Sequence, residues 1–387
     1  MNKAVRGIPS EGVVLRHLLG TPEPQTRPEL AAACHLSRPT VFAAMERLEV
    51  LGLVAPVAQR SGLPGRSASL FAVPAEVGLV AGIDIGGSNL RVAVCDLHGR
   101  PLAELARRTQ TRGGAHVVRQ AAALLKKAIQ TAGVPGRLLG VGVSIPGAVD
   151  NERPIVRYAW NVGQEKPYDF HSRLVAAIGA PILLENNVNL AAVGERQQGA
   201  AQHLDTFAVI AVGAGIGAGI VYKGTLIRGA NGAAGEVARL PSQRMHPRSL
   251  SMPEDVAGGA ALLHEAQGRT DWDGQAPVDV VELFRRASTG EAPALALVED
   301  ECRRITEIIA GVCAVVDPGS VILTGGLGDN DFLVDRVTAL TVDQAGLAPK
   351  ILRSGLGARA SLVGALATAG DHATEELVAR VDRSSET

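Results

Sequence analysis

Leu79-Val-Ala-Gly-Ile-Asp-Ile-Gly-Gly-Ser-Asn-Leu-Arg-Val-Ala-Val-Cys95 sets two apolar runs on either side of Gly86-Gly87-Ser88, which reads as strand, tight turn, strand. Glycines at such a turn let backbone N–H groups close around a phosphate, with Asp84 just before it, although a plain hairpin turn would use the same letters. The pattern recurs. Val209 to Val221 holds Gly213-Ala214-Gly215 between two apolar runs, and Asp317 to Gly328 is a strand ending in Gly325-Gly326. Between these lies Pro181-Ile-Leu-Leu-Glu-Asn-Asn-Val-Asn-Leu-Ala-Ala-Val-Gly-Glu195, a short buried strand followed from Leu190 by a helix. Glu185 to Asn189 therefore fall at a strand-to-helix junction, and ligands of open α/β sheets gather at the carboxyl ends of strands. The junction carries Asn186, Asn187 and Asn189, amides that donate and accept hydrogen bonds but take no proton near neutral pH. A polar turn with an Asn cap and a ligand site without a base both fit these letters.

The 387 residues suffice for two or three domains, and 46% hydrophobic with 20% charged residues is the balance of a globular protein. A net charge of −1 gives no compositional argument for a nucleic-acid or membrane partner. With 3% aromatic residues the core must be aliphatic. Cys34, Cys95, Cys302 and Cys313 are scattered, which predicts reduced thiols in a cytoplasmic protein rather than disulfides or a metal site. No run approaches the ~20 apolar residues of a membrane helix, and no signal-peptide core opens the chain.

The first 75 residues read differently. Val14, Leu15, Leu18 and Leu19 share a helix face; Thr26-Arg-Pro-Glu29 is a capping box; Cys34-His-Leu36 is a tight turn, and Ser37 caps a third helix with Val41, Met45 and Leu48 on one side. Two β-like runs follow, Leu53–Val57 and Ser69–Val73, around the polar loop 59–66. Two short helices and a hairpin make a winged helix-turn-helix. Eight Lys or Arg against five Glu in residues 1–75 fit contacts with phosphates. Ser37, Arg38, Thr40, Arg47, Arg60 and Arg66 are the candidate DNA contacts, with Arg38 and Thr40 best placed for base edges. A small helical domain serving protein contacts is the competing reading.

From Pro74 on, the chain resembles the ROK family (repressors, open reading frames and sugar kinases) of the actin-like, hexokinase-like ATPases. Residues 82–91 resemble its first phosphate loop, 209–219 the second and 317–328 the adenosine-binding turn. Val141–Asp150 resembles the sugar-side strand and loop, Trp160-Asn161 the sugar-contacting segment, and Gly232–Arg239 the GAAGEIGH segment. The winged helix in front resembles the repressor branch. The resemblance implies an α/β, RNase H-like body of two lobes with a sugar in the cleft. It divides the chain into residues 1–75 (head), 76–195 (first lobe, completed by a C-terminal helix at about 361–380) and 196–360 (second lobe). It also implies a nucleotide site, here vestigial, at Asp84, Gly86, Gly87, Ser88, Gly213, Gly215, Gly325 and Gly326.

The departures shape the functional expectation. The family's kinases have END at the junction, whose aspartate is the general base, and Asn187 stands there. A positioned base contributes about 10² to 10⁴ in rate. Ala214 replaces the threonine of the second loop. Arg239 replaces the zinc-binding histidine, and residues 242–253 hold no cysteine, so no metal is expected and no cofactor is assigned. Asn161, Asn186, Glu236 and Glu254 match sugar-contacting positions. With Asn187 and Arg239, whose guanidinium suits a phosphate, they make the candidate effector site. Glu236 and Glu254 could instead simply solvate the cleft or pair with Arg239. The expectation is a cytoplasmic regulator, more usually a repressor in this family than an activator. It would sense a sugar or sugar phosphate and bind a palindromic operator as a homodimer or homotetramer. An active sugar kinase with an accessory head, and a regulator controlled by a partner protein, are the alternatives.

Overall fold

The computed structural model describes residues 9–60, 68–150, 153, 155–159, 162–164, 166–237, 240, 258–345 and 349–384. Arg66, Asn161, Arg239 and Glu254 lie outside the described residues, as do residues 241–257, on which the reading of a lost metal site rests.

The head comprises α1 (Ser10–Gly20), α2 (Arg27–Ala33), α3 (Arg38–Val50) and the antiparallel hairpin β1 (Ala55–Arg60) and β2 (Ala68–Ala72). Its helices begin where local chemistry dictates. The Thr26 N–H donates to Glu29 Oε2 at 2.8 Å while Thr26 Oγ1 accepts from the Glu29 N–H, and Ser37 Oγ accepts from the Thr40 N–H at 3.2 Å. His35 takes φ +54° at the turn between α2 and α3, a conformation histidine tolerates better than most residues. Val14, Leu15, Leu18, Leu30, Val41, Met45 and Leu48 form the core.

The body repeats one topology. In the first lobe β3 (Leu79–Ile85), β4 (Asn89–Asp96) and β5 (Pro101–Arg108) form an antiparallel meander. After α4 (Gly114–Ala132) comes β6 (Leu138–Ile145), parallel to β3. The small pair β7 (Ala148–Val149) and β8 (Val156–Arg157) and then α5 (Phe170–Ile178) lead to β9 (Ile182–Asn186), parallel to β6. The sheet order is β5-β4-β3-β6-β9. Next is α6 (Asn187–Gln198). The second lobe repeats the scheme with β10 (Phe207–Val212), β11 (Ile216–Tyr222) and β12 (Thr225–Ile227). Then follow α7 (Gly259–Gly268), α8 (Val280–Ser288), α9 (Ala292–Val316), β13 (Ser320–Thr324), α10 (Gly325–Gly328), α11 (Asp331–Ala345) and β14 (Lys350–Arg353). That sheet runs β12-β11-β10-β13-β14, and α12 (Ala360–Ser384) ends the chain.

Alternation along the central strands fixes the layers. Leu79, Ala81, Ile83 and Ile85 of β3 pack with α4 and α5, whereas Val80 packs with Ala369 and Ala373 of α12. In β10, Ala208, Ile210 and Val212 face α7, α8, α9 and α11, while Phe207 and Val209 face Val188, Ala191 and Ala192 of α6. The pair α6 and α12 is thus the layer between the two sheets. It packs closely because its contacts are small. A methyl at Gly142 would fall 1.9 Å from the Ala365 carbonyl oxygen. A division at 195/196 falls inside α6, whose Val188 and Ala192 belong to the second lobe's packing.

The C-terminal helix also reaches further than its fit to the first lobe implies. Leu377, Val378 and Val381 are buried in the head's core, and Arg16 of α1 makes a two-bond ion pair with Glu375. Head and body therefore share one helix.

The Glu29 carboxyl is held down to about 2 by the Thr26 N–H, Arg60 and the Thr26 hydroxyl. Because its folded value lies below the ordinary 4.5, its stabilisation is full above pH 4.5 and is lost as pH falls toward 2. Glu29→Gln is expected to flatten the acid limb of head unfolding in that window. An unchanged pH profile, followed by circular dichroism, would remove the capping box as its cause.

Candidate functional site

The cleft, about 510 Å³, opens at the carboxyl ends of the central strands of both sheets. The first sheet supplies Asp84, Gly86, Gly87, Ser88 and Arg91; the second supplies Gly213, Ala214, Gly215, Thr324 and Gly325. Asp84, at the end of β3, is buried, accepts from Ser144 Oγ at 2.8 Å, and pairs with Arg91 Nη1 at 3.2 Å. Burial pushes its carboxyl above the ordinary value; the Ser144 bond and the Arg91 charge pull it part of the way back. The turn after it is closed by the Gly86 N–H donating to the Asn89 carbonyl at 2.9 Å and by Thr109 Oγ1 donating to the Gly86 carbonyl.

The second loop is held from behind. Gly259 N–H donates to the Gly213 carbonyl at 2.7 Å, so the start of α7 backs onto Gly213 and Ala214. Glu301 of α9, fully buried, accepts from the Gly258 N–H at 2.9 Å and fixes that approach. The third turn begins at Gly325, whose φ is +91° and where a methyl would fall 2.6 Å from the Val212 carbonyl oxygen. Only glycine fits there.

At the junction, β9 passes into α6 with no intervening loop; the helix starts at Asn187, three residues before the apolar run that predicts it. Asn186 is the cap. Its Oδ1 accepts from the Val188 and Asn189 N–H groups at 2.8 and 3.1 Å, and its Nδ2 donates to the Gly147 carbonyl at 2.9 Å. These bonds leave one of its amide hydrogens for a ligand in the cleft that it lines. Asn189 is buried and donates to Glu185, whose other oxygen pairs with Arg228. Glu185 therefore has no lone carboxylate to offer. Asn187 is the amide that remains. It lines the cleft, is held through its backbone carbonyl by Ser361 Oγ of α12 at 3.0 Å, and lies outside the side-chain bonds that occupy its neighbours. Glu236 also lines the cleft. Asp84 and Glu236 are the carboxylates among its described lining residues.

Several lining residues escaped sequence reasoning, among them Arg91, Tyr158 and Ser361. Arg91 had a signal: it is a lone charge between Leu90 and Val92 in an apolar strand. Tyr158, at φ +63°, had none.

In the head, Arg38, Phe42, Ala43, Glu46 and Arg47 lie on the exposed side of α3. Ser37 and Thr40 hydroxyls bond each other at 2.7 Å across the helix start. Arg47 pairs with Glu11 of α1 at 2.8 Å and Arg60 with Glu29 at 2.6 Å, ion pairs of exposed arginines that a phosphate would have to compete with. Arg27 pairs with Glu49 and stacks on Phe42 and Phe71, 4.3 and 4.7 Å from the ring centres.

These features define a class: a two-lobed sugar-kinase-type body whose cleft is ringed by three glycine turns, carrying a winged helix-turn-helix in front. The chain belongs to the ROK family, whose model matches residues 80–372, and the IclR helix-turn-helix domain matches residues 13–58. It is 30% identical over 286 residues to the bifunctional enzyme NanE/NanK of Brucella suis, covering 74% of this chain and 52% of that one. The chain thus spans about half the length of that relative. The xylose repressor of Bacillus subtilis is 22% identical across 94% of this chain and 95% of its own. A solved ROK family transcriptional regulator, a homologue of the E. coli MLC protein, superposes with a TM-score of 0.71 at 17% identity over 96% of this chain and 98% of that one. That likeness extends the shared fold through the head. No helix among the described residues is long and apolar enough to cross a membrane.

Proposed function

We propose that the chain is a cytoplasmic DNA-binding transcriptional regulator, acting as a repressor, whose kinase-like body reads a sugar or sugar phosphate and no longer transfers phosphate. The observation that carries this reading is Asn187: the cleft-facing group at the junction is an amide, while Glu185 beside it is consumed by Arg228. Asn187 and Glu236, with Asn161, Arg239, Glu254 and the remaining N–H of Asn186, contact the effector. Asp84, Gly86, Gly87, Ser88, Gly213, Gly215, Gly325 and Gly326 form a remnant nucleotide site. An active sugar kinase with an accessory head draws support from those intact turns.

Closure of the lobes on an effector acts on Ala360 and Ser361, which line the cleft at the start of α12. The same helix ends in the head's core, so cleft and head share a rigid element. Regulation then requires that the effector bind the two head arrangements unequally. A symmetric dimer or tetramer would place two heads on a palindrome. Arg38 and Thr40 read base edges there, while Ser37, Arg66 and, more weakly, Arg47 and Arg60 hold the backbone.

Selection of bound DNA fragments by the purified chain, repeated with candidate sugars and sugar phosphates, is expected to enrich one palindrome whose yield changes with one of them. Arg38→Ala should cost about 1–3 kcal/mol at the base it reads and relax preference there. Enrichment of no sequence at all, or a sequence insensitive to every effector, would defeat the respective half of the proposal.

A further inference from the structure

From Leu105 to Val149 the chain contains no Asp or Glu but seven Lys or Arg, although the whole carries −1. All seven, from Arg107 to Arg137, are exposed, and none forms an ion pair among the described residues. The nearest thing to a partner is the Ala106 carbonyl, which accepts from Arg107. The head is the opposite case: Arg16, Arg27, Arg47 and Arg60 each face a carboxylate. Unpaired positive charge is thus concentrated on the body, along edge strand β5 and helix α4.

The arrangement is ordered. Val117, Ala121, Leu124, Leu125 and Ala128 turn one side of α4 to the sheet, which leaves Arg119, Lys126 and Lys127 on its outer side. Arg107, Arg108, His116, Arg119 and Lys127 border a shallow groove of about 650 Å³ between helix and edge strand. The surface starts beside the head: Arg100, just before β5, donates to the Pro22 carbonyl at 2.6 Å, and Leu139, just after Arg137, packs against the head's core. From there α4 extends roughly 28 Å, at about 1.5 Å per residue.

We propose that this face is a second nucleic-acid surface, taking the phosphate backbone of duplex that flanks the site read by the head. This rests on the DNA-binding reading above. Charge sign alone would also suit an acidic protein, but protein partners need buried aromatic or aliphatic anchors. No large apolar side chain is exposed between residues 101 and 137. A polar, cationic surface without anchors is the character of a DNA interface, and an evenly charged polyanion needs no anchor. The head, with most of its described arginines already facing carboxylates, gains further phosphate contacts from the body.

The test uses the full chain and two duplexes: the selected site trimmed to its edges, and the same site with roughly two helical turns of flank on each side. The wild-type chain is expected to bind the flanked duplex about tenfold or more tightly than the trimmed one. The triple variant Arg107→Gln, Arg119→Gln, Lys127→Gln should lose that gain. Its log-affinity against log-salt slope on the flanked duplex should become shallower by about 2.7, or ~0.9 per phosphate contact, with the trimmed duplex unaffected. A variant that keeps the gain and the slope overturns the proposal, and so does one that weakens both duplexes equally. Since these side chains are exposed, a single Arg119→Gln change, expected to remove about one third of the slope difference, checks the result in a near-wild-type background. Failure of the head's own reading is distinct: it would show as no site preference on either duplex.

Discussion

Leu377→Ala is expected to weaken operator binding far more than effector binding, although this position lies in the last helix of the chain. Leu377 is buried in the head's core with Val378 and Val381, against α1 and α3. Truncating a buried leucine costs about 2–5 kcal/mol through lost transfer energy and the cavity left behind. The head is a small unit with a small core of its own, so that loss is a large fraction of what holds it folded and docked. The cleft lies at the other end of α12, around Ala360 and Ser361, and should keep its shape. Hydrogen exchange across α1 to α3, alongside operator affinity, is the measurement. Faster exchange in the head with an unaltered body is the expected pattern; a variant with wild-type exchange and affinity would show that α12 does not hold the head. Glu375→Gln is the contrast. Its ion pair with Arg16 is solvent-exposed, so its removal should cost at most about 1 kcal/mol.

Asn187→Asp is expected to raise ATP-dependent phosphorylation of whichever sugar occupies the cleft by about 10² to 10⁴ over the wild-type chain. That span corresponds to about 3–5.5 kcal/mol of barrier. The substitution is nearly isosteric and Asn187 is held through its backbone carbonyl, so the fold has no reason to change. What changes is proton affinity: a carboxylate can accept the hydroxyl proton that an amide cannot. Ala214 still lacks a hydroxyl beside the phosphates, so the variant should remain below an ordinary kinase. The measurement is a coupled turnover assay over a panel of hexoses. Wild-type turnover already at ~1–100 s⁻¹, the range of competent kinases, would favour the enzyme over the regulator.

Much of this molecule was legible in its letters. The capping box at Thr26 and the cap at Ser37 are interactions over three residues, and the glycine turns at 86, 213 and 325 follow runs whose strand character is local. The amide at position 187 needed only alignment with a motif. Asn186 was open: the letters allowed an Asn cap and the resemblance implied a sugar contact, and its position one residue before the helix makes it the cap.

Sequence by itself determined the head's helices and hairpin, the strands around the three glycine turns, the two kinds of domain and the amide at position 187, because periodicity, capping and turn chemistry act between near neighbours. Tertiary structure alone decided which charges are spent and which are free. Arg47 meets Glu11 across 36 residues, Arg60 meets Glu29 across 31, and Arg16 meets Glu375 across 359, while the cations of α4 meet no carboxylate among the described residues. Coulomb attraction follows distance in space rather than along the chain. For the same reason, only the fold could reveal that one helix begins at the cleft and ends inside the DNA-binding head.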